Sequence, residues 1–181
     1  MSMAATVEFY FFYGSIPSYL TVMRIDALAA GAQIEVRWQP FNLREILIEQ
    51  NNTAFTKNEV KMNYFWHDVE RRAHGHGIPF ADPDLLALRV GVIAAQEGWC
   101  GDYSRATFYD WFIGRRAPGV GNHVERVLTS LDKPAASIIA RAKSADGDLL
   151  LQQATDAARK LGIFGAPTLA IGQEIFWGMT V

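Results

Sequence analysis

Strand patterns at both ends of this chain enclose a long stretch with a helical period, and this arrangement constrains the fold more than any other feature. Residues Val7 to Phe12 are mostly aromatic or β-branched, which is typical of a buried strand. A helical pattern then runs from Ser15 to a stop at Gly31, and residues 34–38 alternate between apolar and charged side chains, which predicts a second strand. The segment between the strands has the length of a right-handed crossover, so the sequence predicts a parallel strand–helix–strand unit.

The middle of the chain has a helical period from about Leu43 to Leu161, interrupted by glycine and proline. The predicted helices cover residues 63–73, 85–97, 104–113, 120–131, 134–143 and 148–161. Two short strands follow at Thr168–Ile171 and Glu174–Trp177, and the two residues between them form a hairpin signal. We therefore interpret the chain as an α/β domain into which a helical domain is inserted.

This interpretation assigns residues 1–42 and 162–181 to the α/β domain and residues 43–161 to the helical domain. The chain has 181 residues, of which 50% are hydrophobic, so it can bury a sizeable core. Its formal net charge of −2 argues against a nucleic-acid surface, which needs a basic excess. The sequence shows neither a long apolar membrane span nor a signal-peptide pattern, so we expect a cytoplasmic protein.

The reactive side chains that often indicate redox or metal chemistry are scarce. Cys100 is the single cysteine, which excludes an internal disulfide, and we expect it to pack as a small hydrophobic residue rather than act as a nucleophile. His74 and His76 flank a glycine, but no further ligands follow at metal-binding spacing. A loop is the favoured interpretation there, and we expect no metal site.

Ser15 is the strongest candidate for chemistry because it follows the first strand and opens a helix, with Pro17 in the first turn. Backbone N–H groups at a helix start lack partners, and the helix dipole adds partial positive charge there. An anion such as a thiolate or carboxylate is stabilised in that position. A purely structural N-cap explains the same spacing, and both interpretations stay open at this point.

Two further segments are candidates for ligand binding. Ala166 precedes Pro167 just before a strand, and a cis bond there would leave the Ala166 backbone free to pair with an extended peptide-like ligand. An ordinary trans turn fits the same spacing. Asn52 and Lys61 lie in a polar stretch before the aromatic cluster at residues 64–66, which suits an anionic aromatic substrate. A solvated lysine at a helix start is the alternative.

The order of these motifs resembles a known family. The motifs are Ser15-x-x-Ser18-Tyr19-Leu20, Trp38-Gln39-Pro40-Phe41, Asn52, Lys61-x-x-Tyr64, Gly77-Ile78-Pro79-Phe80, Gly162-Ile163-Phe164-Gly165-Ala166-Pro167-Thr168 and Phe176-Trp177-Gly178. The chain resembles the 2-hydroxychromene-2-carboxylate isomerases, which are relatives of the kappa-class glutathione transferases in the DsbA-like branch of the thioredoxin superfamily. The resemblance implies a thioredoxin-like domain with an inserted all-helical domain.

The resemblance also implies that glutathione is the cofactor. Ser15 would hold the glutathione thiolate, and Ala166, before a cis Pro167, would pair with the glutathione backbone. Asn52 and Lys61 would lie in the substrate pocket or at its rim. Since serines stand at both positions where redox relatives carry cysteines, a dithiol–disulfide oxidoreductase is not expected.

The implied activity is a glutathione-dependent cis–trans isomerisation in aromatic degradation. It would convert 2-hydroxychromene-2-carboxylate to trans-o-hydroxybenzylidenepyruvate by thiolate attack, ring opening, rotation about a carbon–carbon bond and elimination. We expect a small aromatic carboxylate as substrate, a homodimer as the assembly, and neither a membrane nor a nucleic acid as partner.

Two alternative functions stay open, and a departure from the family motivates the second of them. Met179 and Thr180 stand where the family has a polar residue and an aspartate that bind the γ-glutamyl end of glutathione. Thr180 can offer that end a hydrogen bond but no charge. The alternatives are a kappa-like glutathione transferase and a non-catalytic relative that has lost glutathione. The helix that normally ends this fold is either truncated or lies outside this sequence, and without it we expect an uncovered apolar sheet face.

Overall fold

A computed structural model describes residues 5–52, 85–114 and 122–178, and its centre is a mixed sheet with the strand order β2-β1-β3-β4. The strands are β1 (Thr6–Phe11), β2 (Glu35–Pro40), β3 (Thr168–Ile171) and β4 (Glu174–Trp177). Strands β1 and β2 are parallel, and β3 runs antiparallel to both β1 and β4. The predicted crossover unit and the predicted terminal hairpin are both confirmed.

Eight helices occupy the described ranges. They are α1 (Ile16–Val22), α2 (Ile25–Ala32), α3 (Leu43–Glu49), α4 (Leu85–Gln96), α5 (Cys100–Phe112), α6 (His123–Ser130), α7 (Ala135–Ala142) and α8 (Ala145–Lys160). Helices α1 and α2 connect β1 to β2, and the other six lie between β2 and β3. The helix predicted at 63–73 lies outside the described residues, and the division into two domains stays a prediction.

The helical segment after Ser15 differs from its prediction in two ways. A tight turn at Met23 and Arg24, in which the Arg24 N–H donates to the Thr21 carbonyl at 3.0 Å, divides it into α1 and α2. The predicted stop at Gly31 is wrong, because α2 ends at Ala32 and Gln33 adopts the left-handed cap with φ 55°. The Ile34 N–H donates across that cap to the Ala29 carbonyl at 3.0 Å, which satisfies a helix-end acceptor without glycine.

Hydrophobic clusters cover both faces of the sheet. On one face, Phe9 and Phe11 stack with ring centroids 5.1 Å apart, and Trp38 packs edge-on against both. Buried side chains of α4, α5 and α8 complete this larger cluster. On the other face, Tyr10 and Ala170 contact buried side chains of α3, α8 and the segment that follows α8, namely Leu43, Ile46, Ala158 and Ile163. The central strand β1 is thus held between two apolar layers, whereas β4 is largely exposed.

A third apolar surface is open to solvent in the described residues. Side chains of α2 and of the β3–β4 hairpin line a groove of about 450 Å³. Leu28, Ile171 and Phe176 in this groove keep 50%, 54% and 46% of their surface exposed. Exposed apolar surface of this kind favours association.

None of the described helices combines the length and the apolar character that crossing a membrane requires.

The second apolar layer yields a stability prediction at Phe41. This side chain is fully buried, and its ring packs edge-on against Tyr10 at 6.1 Å. We expect Phe41→Ala to lower the free energy of unfolding by about 3–5 kcal/mol, because it leaves a cavity between the sheet and α3. Denaturant unfolding measures this change. Ile48→Ala is the control, since Ile48 lies on α3 but is 58% exposed, and it should cost less than about 1 kcal/mol. Equal losses would contradict the described packing.

Candidate active site at the β1–α1 turn

Ser15 caps helix α1 at the turn that follows β1. Its Oγ accepts a hydrogen bond from the Ser18 N–H at 3.3 Å, and its own N–H donates to the Phe12 carbonyl at 3.0 Å. Pro17 lies in the first helical turn, where its missing N–H costs nothing. The predicted N-cap is therefore confirmed, and the short turn holds Ser15 half-buried beyond the C-terminal end of the central strand β1.

The Ser15 hydroxyl also reaches the far end of the chain. It donates to the Ala166 carbonyl oxygen at 3.0 Å, which joins two positions 151 residues apart. The peptide bond between Ala166 and Pro167 is cis. The cis alternative is thus confirmed over the trans turn, and the structure brings together three residues that the sequence analysis selected.

The turn around Pro167 is held by hydrogen bonds on both sides. The Thr168 hydroxyl donates to the Gly165 carbonyl at 2.9 Å, and the Gly178 N–H donates to the Pro167 carbonyl at 3.0 Å. The Ala166 backbone is therefore presented by an anchored segment rather than by a free loop.

An aromatic pair lies beside this turn. The rings of Phe164 and Trp177 are 5.1 Å apart, and their side chains are 40% and 58% exposed. The indole lies directly over Gly165, where a Cβ atom would overlap the indole nitrogen. The sequence analysis included these residues in motifs but assigned them no role. A glycine next to the cis-proline turn and an aromatic strand end were the available signals for this close approach.

The remaining candidate residues have a structural role, are exposed, or lie outside the described residues. Ser18 is fully buried, and its Oγ accepts from the Phe12 N–H at 3.4 Å, so it holds the turn together. Asn52 follows α3, is exposed, and donates its backbone N–H to the Leu47 carbonyl at 2.9 Å. Lys61 and Thr180 lie outside the described residues. Within the described ranges, no three potential metal ligands lie together.

The family model for the DsbA-like thioredoxin domain matches residues 6–180. The chain belongs to this family.

Among curated proteins, this DsbA-like chain is similar to enzymes named 2-hydroxychromene-2-carboxylate isomerase. The one from Sphingobium xenophagum is 25% identical over 97% of this chain and 93% of its own length. The one from Pseudomonas putida is 26% identical over 95% of this chain and 88% of its own length. The resemblance that the ordered motifs indicated is therefore confirmed.

Solved structures support the same fold. A 2-hydroxychromene-2-carboxylate isomerase superimposes with a TM-score of 0.74 and 24% identity, over 96% of this chain and 88% of that chain. A probable DsbA oxidoreductase from Streptomyces coelicolor gives 0.62 and 16%, over 96% of this chain and 83% of that chain. These likenesses confirm the DsbA-like thioredoxin fold.

In this DsbA-like domain, Cys100 is not part of the β1–α1 turn. Its side chain is 2% exposed, and its Sγ lies 3.7 Å from the Ser104 Oγ. Burial raises the pKa of the thiol to about 12, although hydrogen bonds from Ser104 and Tyr13 lower it in part. The thiol is therefore protonated at neutral pH, which confirms the expectation of a buried hydrophobic residue.

The close approach of Trp177 to Gly165 predicts opposite effects for two glycine substitutions. We expect Gly165→Ala to lower the free energy of unfolding by about 1–3 kcal/mol, because the indole must move to admit a methyl group. Gly31→Ala is the control, since nothing lies within 4 Å of a Cβ at that helical position. It should stabilise the protein by about 0.4–1 kcal/mol, because alanine reduces the entropy of the unfolded chain. Denaturant midpoints compare the two variants, and a loss that is equal in both would refute the contact.

The raised pKa of Cys100 predicts slow labelling of the native protein. At pH 8 the folded thiol should react with an aromatic disulfide reagent much more slowly than the same thiol in guanidinium chloride. Because the folded pKa lies above the unfolded one, the buried thiol stabilises the fold below the unfolded pKa. This stabilisation is lost as the pH rises towards 12. Equal labelling rates in the native and unfolded protein would contradict the burial of Cys100.

Proposed function

We propose that this chain is a glutathione-dependent isomerase that acts on 2-hydroxychromene-2-carboxylate or on a closely related small aromatic carboxylate. The observation that carries the proposal is the hydrogen bond between the Ser15 hydroxyl and the Ala166 carbonyl, next to the cis peptide bond. It stands in a chain whose curated relatives bear that isomerase name at about 25% identity. From the family resemblance and the sequence analysis we also propose an aromatic-degradation role, a cytoplasmic location and a homodimer.

The groups at the corner formed by Ser15 and Ala166 fit a thiolate and a peptide-like ligand. Ser15 has a rotatable hydroxyl that can turn from the Ala166 carbonyl to donate to a sulfur anion. In the first turn of α1, Pro17 has no N–H and the Ser18 N–H donates to the Ser15 Oγ, so we assign the anion to the serine hydroxyl. Stabilising the anion lowers the pKa of a bound thiol, so that more of it is ionised at neutral pH. The Ala166 carbonyl, once released by Ser15, becomes available to an extended backbone.

Bound glutathione would supply a sulfur nucleophile that adds reversibly to the chromene ring and permits rotation about the carbon–carbon bond. The chain's part is to hold the thiol in its anionic form at Ser15 and to orient the substrate. The exposed rings of Phe164 and Trp177 offer an apolar surface to an aromatic substrate beside Ala166.

The other cofactor and substrate contacts are proposals from the family resemblance. Lys61 would pair with a carboxylate, and Asn52 would donate from the rim of the pocket. Thr180 would offer a hydrogen bond to the γ-glutamyl end of glutathione. Replacing a charged partner by a hydroxyl there costs about 1 kcal/mol or more of binding, so we expect weaker glutathione binding than an aspartate would provide.

A glutathione-dependent assay tests the proposal. Purified protein with glutathione should equilibrate 2-hydroxychromene-2-carboxylate with its trans isomer, and omission of glutathione should abolish the reaction. Ser15→Ala should lower kcat by about 100- to 1,000-fold, the range seen when a single anion-stabilising donor is removed. Ser137→Ala should leave the rate unchanged, because it removes only an exposed hydroxyl on α7 that donates to the Pro134 carbonyl.

Two further measurements on the same protein distinguish the alternatives, namely a conjugation assay and a binding assay. Conjugation of glutathione to a halonitrobenzene without isomerisation would identify a kappa-like transferase, because the same thiolate site serves an electrophilic substrate. Ligand binding without turnover and without glutathione would identify a non-catalytic relative, and it would refute the isomerase proposal.

A further inference from the structure

Tyr13 lies in the same turn as Ser15, and its side chain packs in the helical layer. The phenol is 1% exposed, and its Oη lies 2.9 Å from the Ser104 Oγ on α5. Neither the DsbA-like motifs nor the proposed glutathione contacts include this hydrogen bond. It links the turn that carries Ser15 to a helix 91 residues further along the chain.

The pocket around the phenol is closely fitted. The Tyr13 ring packs against Phe11, Tyr103 and Phe108, with centroid distances of 5.3, 5.8 and 5.5 Å. A Cβ at Gly91 on α4 would lie 2.7 Å from the Tyr13 Oη, so α4 approaches the hydroxyl closely because residue 91 is glycine. Burial raises the pKa of the phenol well above its ordinary value, so it stays neutral and can share a hydrogen bond with Ser104.

Only a few backbone bonds separate Tyr13, which bonds to Ser104, from the Ser15 hydroxyl. The Ser15 N–H donates to the Phe12 carbonyl at 3.0 Å, and the Phe12 N–H donates to the Ser18 Oγ at 3.4 Å. Tyr13 therefore lies inside a hydrogen-bonded turn, and a shift of its backbone must move Ser15. Ser15 is held on one side by Ala166 and on the other, through the turn, by Tyr13.

We propose that Tyr13 is a positioning residue for Ser15, and that its hydrogen bond to Ser104 holds the turn so that the serine hydroxyl lies next to Ala166. Ser104 is itself oriented by the neighbouring Cys100 Sγ at 3.7 Å. The kinetic part of this proposal rests on the proposed glutathione-dependent function, whereas the structural part does not.

The test compares Tyr13→Phe with Tyr103→Phe. Both substitutions remove one buried phenol hydroxyl from the same aromatic cluster. Each hydroxyl also makes one hydrogen bond, which for the Tyr103 Oη is donated to the Ala87 carbonyl at 3.3 Å. Tyr103 is not in the turn, so its variant controls for a general loss of stability. Amide hydrogen exchange of Ser15 and Ser18 is the first readout, with amides of α8 as the internal reference.

Tyr13→Phe should raise the exchange rates of the Ser15 and Ser18 amides by about 2- to 10-fold, the range expected for one lost hydrogen bond. Tyr103→Phe should leave these rates unchanged relative to α8. Ser104→Ala should reproduce the effect of Tyr13→Phe, since it removes the partner hydroxyl from the other side. Unchanged exchange in Tyr13→Phe, or equal effects in both tyrosine variants, would overturn the proposal.

Kinetics with glutathione and the chromene substrate form the second readout. Tyr13→Phe should lower kcat while leaving the KM for the chromene substrate nearly unchanged, because the contacts of that substrate stay in place and only the thiolate donor shifts. A change confined to the KM for the chromene substrate would overturn the positioning role. If the wild-type protein shows no glutathione-dependent turnover, the proposed function fails, and the exchange experiment still decides whether Tyr13 anchors the turn.

Discussion

The hydrogen bond from the Ser15 hydroxyl to the Ala166 carbonyl depends on the register of the sheet. Strand β1 pairs antiparallel with β3, with Phe9 opposite Leu169 and Tyr10 opposite Thr168. Continuing this register brings the residues after β1 next to those before β3, so the helix cap and the cis-proline turn meet at one corner. A slip of β3 by one residue would exchange the faces of Leu169 and Ala170, and the larger leucine would then occupy the closely packed layer where the fully buried Ala170 lies. The same packing that stabilises the sheet therefore assembles the candidate site.

Helix α8 places the second half of this corner. Its buried Ala158 belongs to the second apolar layer, on the Tyr10 face of the sheet. The Thr155 Oγ1 of α8 accepts a hydrogen bond from the Asn42 N–H at 3.1 Å. Arg159 adds ion pairs to Glu45 and Glu49 on α3 at 2.9 and 2.7 Å. These pairs are partly exposed and contribute modestly. Since α8 leads directly into the segment before Ala166, its docking against α3 fixes where that turn begins.

Local sequence patterns predicted the parts of the fold that depend on local chemistry. The aromatic strand, the serine cap with Pro17 and the hairpin at Gly172 each follow from side chains a few residues apart. The left-handed cap at Gln33 was not predictable in this way, because Gly31, two residues earlier, is the residue type that more commonly ends a helix. The prediction of a cis bond before Pro167 came from the family resemblance, since most X–Pro bonds are trans and spacing alone does not indicate an exception.

The parts of the site that were missed are long-range contacts. The indole of Trp177 over Gly165, and the pairing of Tyr13 with Ser104, join positions that no local period relates. Only the three-dimensional arrangement identifies them, because each residue alone reads as an ordinary core or strand residue. They surround Ser15 and Ala166, so the candidate site has a supporting structure that the motifs alone did not indicate.

The central claim is that Ser15 and Ala166 form a thiolate-binding corner, and calorimetric titration with reduced glutathione tests it most directly. The account predicts saturable binding by the wild-type protein and binding weakened by about tenfold or more in Ser15→Ala, because a hydrogen bond to an anion is lost. Absence of binding by the wild-type protein, or equal affinity in the two proteins, would contradict it. The DsbA-like family would then describe the fold of this chain and not its chemistry.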